Sequence, residues 1–112
     1  MLRLRRRLHL EVVVHPGYAR DPAGGIGRLR DAGFPPVWGP GRHGPGNNVF
    51  GYFIGPHGGV IEYTAEVEEI GDDYPVGGPE KWKWPQGRTD HWGVSARDDK
   101  RIHAAERAYT WA

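Results

Sequence analysis

The chain has 112 residues, a formal net charge of +1 and no cysteine. That length permits one modest core, and the near-neutral charge offers no field to draw in nucleic acid or an acidic membrane surface. The missing thiols exclude disulfides, iron–sulfur clusters, thiolate metal sites and thiol nucleophiles, so any transition metal is held by imidazole and carboxylate.

Gly 18 and Pro 10 speak for turns and short strands, while 5 Trp, 5 Tyr and 3 Phe argue for a packed fold over low complexity. No apolar run reaches the ~20 residues that span a bilayer. The apolar stretch 8–14 is interrupted by His9 and Glu11, unlike a signal peptide, and the expected location is cytoplasmic.

Arg5-Arg6-Arg7 reads as the exposed, charged start of a strand; the other reading is a nucleic-acid or targeting patch. Residues 8–14 (LHLEVVV) then form that strand, with His9, Glu11 and Val13 on one face and Leu8, Leu10, Val12 and Val14 on the apolar one. A short helix is expected over 26–32, stopped by Gly33, because Pro22, Gly24 and Gly25 disfavour a longer one. Residues 35–38 read as extended and 39–46 as a glycine-rich loop carrying His43. Residues 48–54 are a strand with Phe50, Tyr52 and Ile54 on one face and Val49 and Phe53 on the other. Residues 55–59 (GPHGG) are a turn, and 60–64 return as a strand. If Ile54 pairs with Val60, Tyr52 stands opposite Glu62.

This order is a βαβββ unit, which divides the chain into a module over 1–69 and an irregular, aromatic extension over 70–112. In the extension Trp82 and Trp84 alternate with Lys81 and Lys83. Ser95-Ala96-Arg97-Asp98 reads as a capping box opening a helix to about Trp111, with Ile102, Ala105 and Tyr109 on one stripe. The fold class is α+β. The βαβββ sheet leaves one apolar face and an edge open, so it does not close a core alone.

A histidine, a tyrosine and a carboxylate converging on one sheet face suggest a metal site with an acid–base partner. Each has a blander reading. Glu62, between apolar neighbours, is paired or metal-bound if its face is buried and merely solvated if it is not. His43 suits proton transfer or is a solvated loop histidine, and Tyr52 is a candidate hydrogen-bond donor or a packing residue. His9 is a ligand or a surface residue. His15, His57, His91 and His103 lack such company and read as structural or exposed. The KWKW run could stack bases but reads better as core or lid. No complete nucleotide-binding glycine motif, HExxH or GxSxG is present.

Residues 38–66, WGPGRHGPGNNVFGYFIGPHGGVIEYTAE, resemble the C-terminal module of extradiol, catechol-type ring-cleaving dioxygenases of the vicinal oxygen chelate superfamily. His43 lies nineteen residues before Glu62 and Tyr52 ten before it, as in that family. The resemblance extends to 8–66. It places His9, in RLHLEVVV, and Glu62, in VIEY, as metal ligands, His43 as the proton-handling histidine, and Tyr52 as the hydrogen-bond partner of the substrate oxygens. It implies Fe(II), with Mn(II), Ni(II) or Zn(II) as alternatives, and a catechol-like aromatic and O2 as partners.

The family takes a further iron histidine from a preceding module. Two explanations compete for its absence here: this chain is a shortened relic, inactive alone, or two chains pair as a homodimer and pool His9 and Glu62 at one centre. Pairing would also cover the open sheet face. The functional expectation is a metal-dependent extradiol dioxygenase. The alternatives are a bleomycin-resistance-like protein that binds an aromatic ligand without catalysis, and a glyoxalase-like lyase or isomerase.

Overall fold

A computed structural model describes residues 9–13, 21–78, 80 and 83–108, the first stretch as backbone. The expectations for Arg5-Arg6-Arg7, His15, Lys81, Trp82 and Tyr109 lie outside the described residues. The elements run β1 (His9–Val13), α1 (Pro22–Asp31), β2 (Trp38–Arg42), β3 (Val49–Ile54), β4 (Val60–Ala65) and α2 (Asp99–Ala108). The four strands form one sheet in the order β1-β4-β3-β2, with β1 parallel to β4 and the other pairs antiparallel. The fold is α+β with βαβββ order, as the sequence implies.

One helix covers each face. On one face Ile26 of α1 packs over Gly51, and Gly25 brings the helix against Tyr63. On the other, Ile102 and Ala105 of α2 join Val37, Trp38, Phe50 and Val60 in a single buried cluster, with Tyr52 and Ile54 at its edge. Part of the face that the sequence leaves for a second copy is therefore covered by the chain's own C-terminal helix.

Three elements differ from expectation. α1 begins at Pro22, not Ile26, because proline is at home in the first helical turn and Asp21 caps the helix by accepting from Gly24 N at 3.0 Å. Part of the expected 39–46 loop is β2, which pairs with β3 through a register break between Trp38 and Gly41 and contains a cis Gly39–Pro40 bond. α2 is capped by Asp98, whose Oδ1 accepts from Arg101 N at 3.1 Å. Ser95 caps nothing; its hydroxyl accepts from Gly39 N and donates to Pro40 O. The tail's serine fastens β2.

Gly25 and Gly27 separate two roles for helical glycine. A side-chain carbon at Gly25 would collide with the Tyr63 hydroxyl, whereas one at Gly27 would meet nothing within 4 Å. We expect Gly25→Ala to destabilise the fold by about 1–3 kcal/mol through overpacking. Gly27→Ala should stabilise it by about 0.5–1 kcal/mol through helix propensity. Urea unfolding midpoints of the two variants should move in opposite directions.

Candidate functional site

One rung crosses the sheet from edge to edge: Trp38 opposite Tyr52, Tyr52 opposite Glu62, and Glu62 opposite Glu11. The Tyr52–Glu62 pairing is the one expected from the turn length. Cross-strand partners share a face, so the Trp38 ring stacks on the Tyr52 ring with centroids 5.0 Å apart and planes 14° apart. The Trp38 indole N–H donates to Thr89 Oγ1 at 3.0 Å, and the Arg97 guanidinium lies 4.9 Å from the Trp38 ring. Trp84 meets it edge-on.

His43 follows β2 directly and turns its ring onto the same face. It stacks on Phe50 with centroids 3.9 Å apart. Its Nε2 lies 3.1 Å from the Tyr52 hydroxyl and 3.2 Å from Glu62 Oε1. A carboxylate only accepts, so the tautomer with a proton on Nε2 satisfies Glu62 while the phenol oxygen shares the same proton. Glu62 is 6% exposed, which makes this contact necessary to offset the cost of burying its charge. A cavity of about 340 Å³ opens beside these groups, lined by His43, Pro45, Asn48, Tyr52, Glu62 and Val67.

No family model matches the chain. A metapyrocatechase 2 from Cupriavidus necator is 38% identical over 55 residues, covering 47% of this chain and 17% of that protein. A crystal structure of the Mn(II)-bound glyoxalase from Novosphingobium aromaticivorans superposes with a TM-score of 0.60 at 33% identity, covering 84% of this chain and 30% of the other. Both likenesses point to one superfamily, and the strand order and helix placement agree with it. The chain carries a vicinal oxygen chelate module. It spans less than a third of the length of either relative. The structural likeness is longer than the βαβββ stretch alone, so it takes in part of the C-terminal segment as well.

Within this module His43, Tyr52 and Glu62 meet. For His9 only the backbone position is described: its Cα lies level with Val60, two residues along β1 from the Glu11–Glu62 pair. His57, His91 and His103 are exposed, as expected. Among the described residues no three His, Asp or Glu side chains converge as a metal group. The donor set thus fits a divalent metal only as part of a larger site: Glu62 offers a buried carboxylate suited to first-row ions, while the His43 imidazole is engaged with it through Nε2.

The sequence reading misses Asp90, which is 1% exposed. Its carboxylate accepts from Arg42 N at 2.8 Å, Trp92 N at 3.1 Å and Gly93 N at 3.2 Å. His91 N donates to Arg42 O at 2.9 Å, so residues 90–93 clamp the end of β2 just before His43. An aspartate in a polar, irregular stretch gives no sequence signal for this. Asp90→Ala should cost about 3 kcal/mol, the scale for orphaning several donors of a buried carboxylate. Chemical denaturation checks the loss, and broadened or shifted His43 imidazole NMR signals should accompany it.

Proposed function

We propose that this module forms the metal-binding half of an extradiol-type, ring-cleaving dioxygenase acting on a catechol or a related oxygen-chelating aromatic. The observation that carries this reading is the His43 imidazole placed between the Tyr52 hydroxyl and the Glu62 carboxylate at the wall of a cavity. Likeness to a metapyrocatechase supports it, since that relative is an extradiol dioxygenase.

Glu62 and His9 are the proposed ligands on this chain, and the remaining donors come from a second module or a second copy. When bound, Fe(II) would supply the electron path between a chelated diol and O2 that lets both oxygen atoms enter the opening ring. The protein's own groups do the rest. Glu62 orients His43 and fixes its proton on Nε2. Tyr52, braced by the stacked Trp38, offers its hydroxyl to the substrate oxygens as their charge changes. His43 moves a proton to or from oxygen at the reacting edge. Phe50 keeps the imidazole plane in line for that transfer.

A second reading is favoured by one observation: the solved structure that covers most of this chain is a Mn(II)-bound glyoxalase. A glyoxalase-like lyase or isomerase would need the metal but not O2, and it would make no particular use of Tyr52.

Anaerobic loading with Fe(II) or Mn(II), reading metal per chain together with solution mass, tests the shared site. About one metal per two chains, lost in Glu62→Ala, is expected for a paired centre. Tyr52→Phe should keep the metal, and His43→Gln should keep it while lowering catechol-dependent O2 uptake by roughly 10²–10⁴-fold, the usual scale for general acid–base catalysis. Metal binding with no O2 uptake on any catechol would favour the oxygen-independent reading. No metal at any mass would leave a ligand-binding module.

A further inference from the structure

Asn48 lines the cavity and has no part in the chemistry above. It is 8% exposed and stands one residue before β3, so strand alternation puts it on the face of Phe50 and Tyr52. Its amide Nδ2 donates to Thr64 Oγ1, and Thr64 Oγ1 donates to the Val49 carbonyl at 2.9 Å. This chain has a fixed direction. A carbonyl only accepts, so the single Thr64 proton is committed to Val49 and the Thr64 oxygen receives from Asn48. Asn48 must then present its NH2 to Thr64, which leaves its amide oxygen for the cavity.

Among the described residues no donor is bonded to that oxygen, and it is not sealed from solvent. Gly46, at φ +79°, sits beside it; a side-chain carbon there would come within 3.1 Å of Oδ1. The bare glycine keeps the acceptor open.

We infer that Asn48 Oδ1 selects the ligand: the cavity takes an oxygen-chelating aromatic that carries one further hydrogen-bond donor, a hydroxyl or amine, remote from the chelating oxygens. The inference rests on the reading of the site given above. Asn48 stands two pleat repeats before Tyr52 and its amide reaches back to Thr64, one repeat beyond Glu62, so the acceptor lies roughly 7–13 Å from the Tyr52–Glu62 rung, the range spanned by a ring plus a substituent. Pro45 and Val67 supply apolar walls for the ring. A ligand without the donor leaves a largely buried acceptor unmatched, and such a site discriminates against it.

The test is anaerobic titration of the Mn(II)-loaded protein with 3,4-dihydroxybenzyl alcohol and with its methyl ether, which keeps the oxygen and loses only the donor. The alcohol should bind roughly three- to tenfold tighter, the scale of one neutral hydrogen bond. That ratio should fall to about one in Asn48→Leu and in Thr64→Val, which frees the amide to turn, and persist in Thr64→Ser. A ratio taken on one protein does not depend on how much of it is folded, and the Thr64 pair decides the matter should Asn48→Leu not fold. Measurable but equal affinities in the unsubstituted protein, or a ratio unchanged in Asn48→Leu and Thr64→Val, would overturn the inference and leave the parent reading intact. Failure of both ligands and of 4-methylcatechol to bind would sink the two together.

Discussion

Five residues join Ile54 to Val60, and the register they set decides every contact of the site. Gly55 N donates to Gly59 O at 2.8 Å and Gly58 N to Gly55 O at 2.9 Å, so the turn is closed by its own backbone. A slip of one residue would send every side chain of β4 to the opposite face. Glu62 would then stand under α1, on the face away from His43. With the register as it is, the carboxylate is buried beside His43, and the aromatic rung from Trp38 to Tyr52 is level with it.

The two helices give the two faces different characters. α1 comes close enough to the sheet for a glycine to be required against Tyr63. α2 lies over the end of the other face that carries Val60, and leaves the end with Asn48, Tyr52 and Glu62 open as a cavity. The same face is thus core at one end and site at the other. Phe50 belongs to both: it is fully buried in the cluster and is the surface on which His43 stacks. Stability and orientation of the imidazole are linked through that one ring.

Much of this was legible in the sequence. The hairpin was, because alternation of Phe50, Tyr52 and Ile54 and a glycine-rich turn leave little freedom in pairing. The meeting of Tyr52 with Glu62 follows from the same count, and the family resemblance adds His43. Asn48 was half legible: its parity with Tyr52 puts it on the right face, but the direction of its amide depends on Thr64 and Val49. The start of α1 was hidden because Gly24 and Gly25 carry low helix propensity, while the reason for Gly25, close approach to Tyr63, is tertiary. β2 was hidden because Gly-Pro-Gly reads as loop, and its strand character comes from β3 and from Asp90. Ser95 and Asp98 both look like caps, and only the bonds Ser95 makes to Gly39 and Pro40 tell them apart.

The clamp at Asp90 bears on how the molecule forms. The hairpin is a local structure that closes over a short loop, but the bonds that hold Arg42, and with it His43, come from a residue 48 positions later. Trp38 is held from a similar distance, through Thr89, 51 positions away. Contacts of such sequence separation carry a loop-closure cost that must be met before they contribute, and they slow folding. The antiparallel strands β2, β3 and β4 can therefore assemble early with the histidine still unplaced, and the site is completed only when the C-terminal segment returns to β2. A nascent chain would acquire its hairpins before its chemistry.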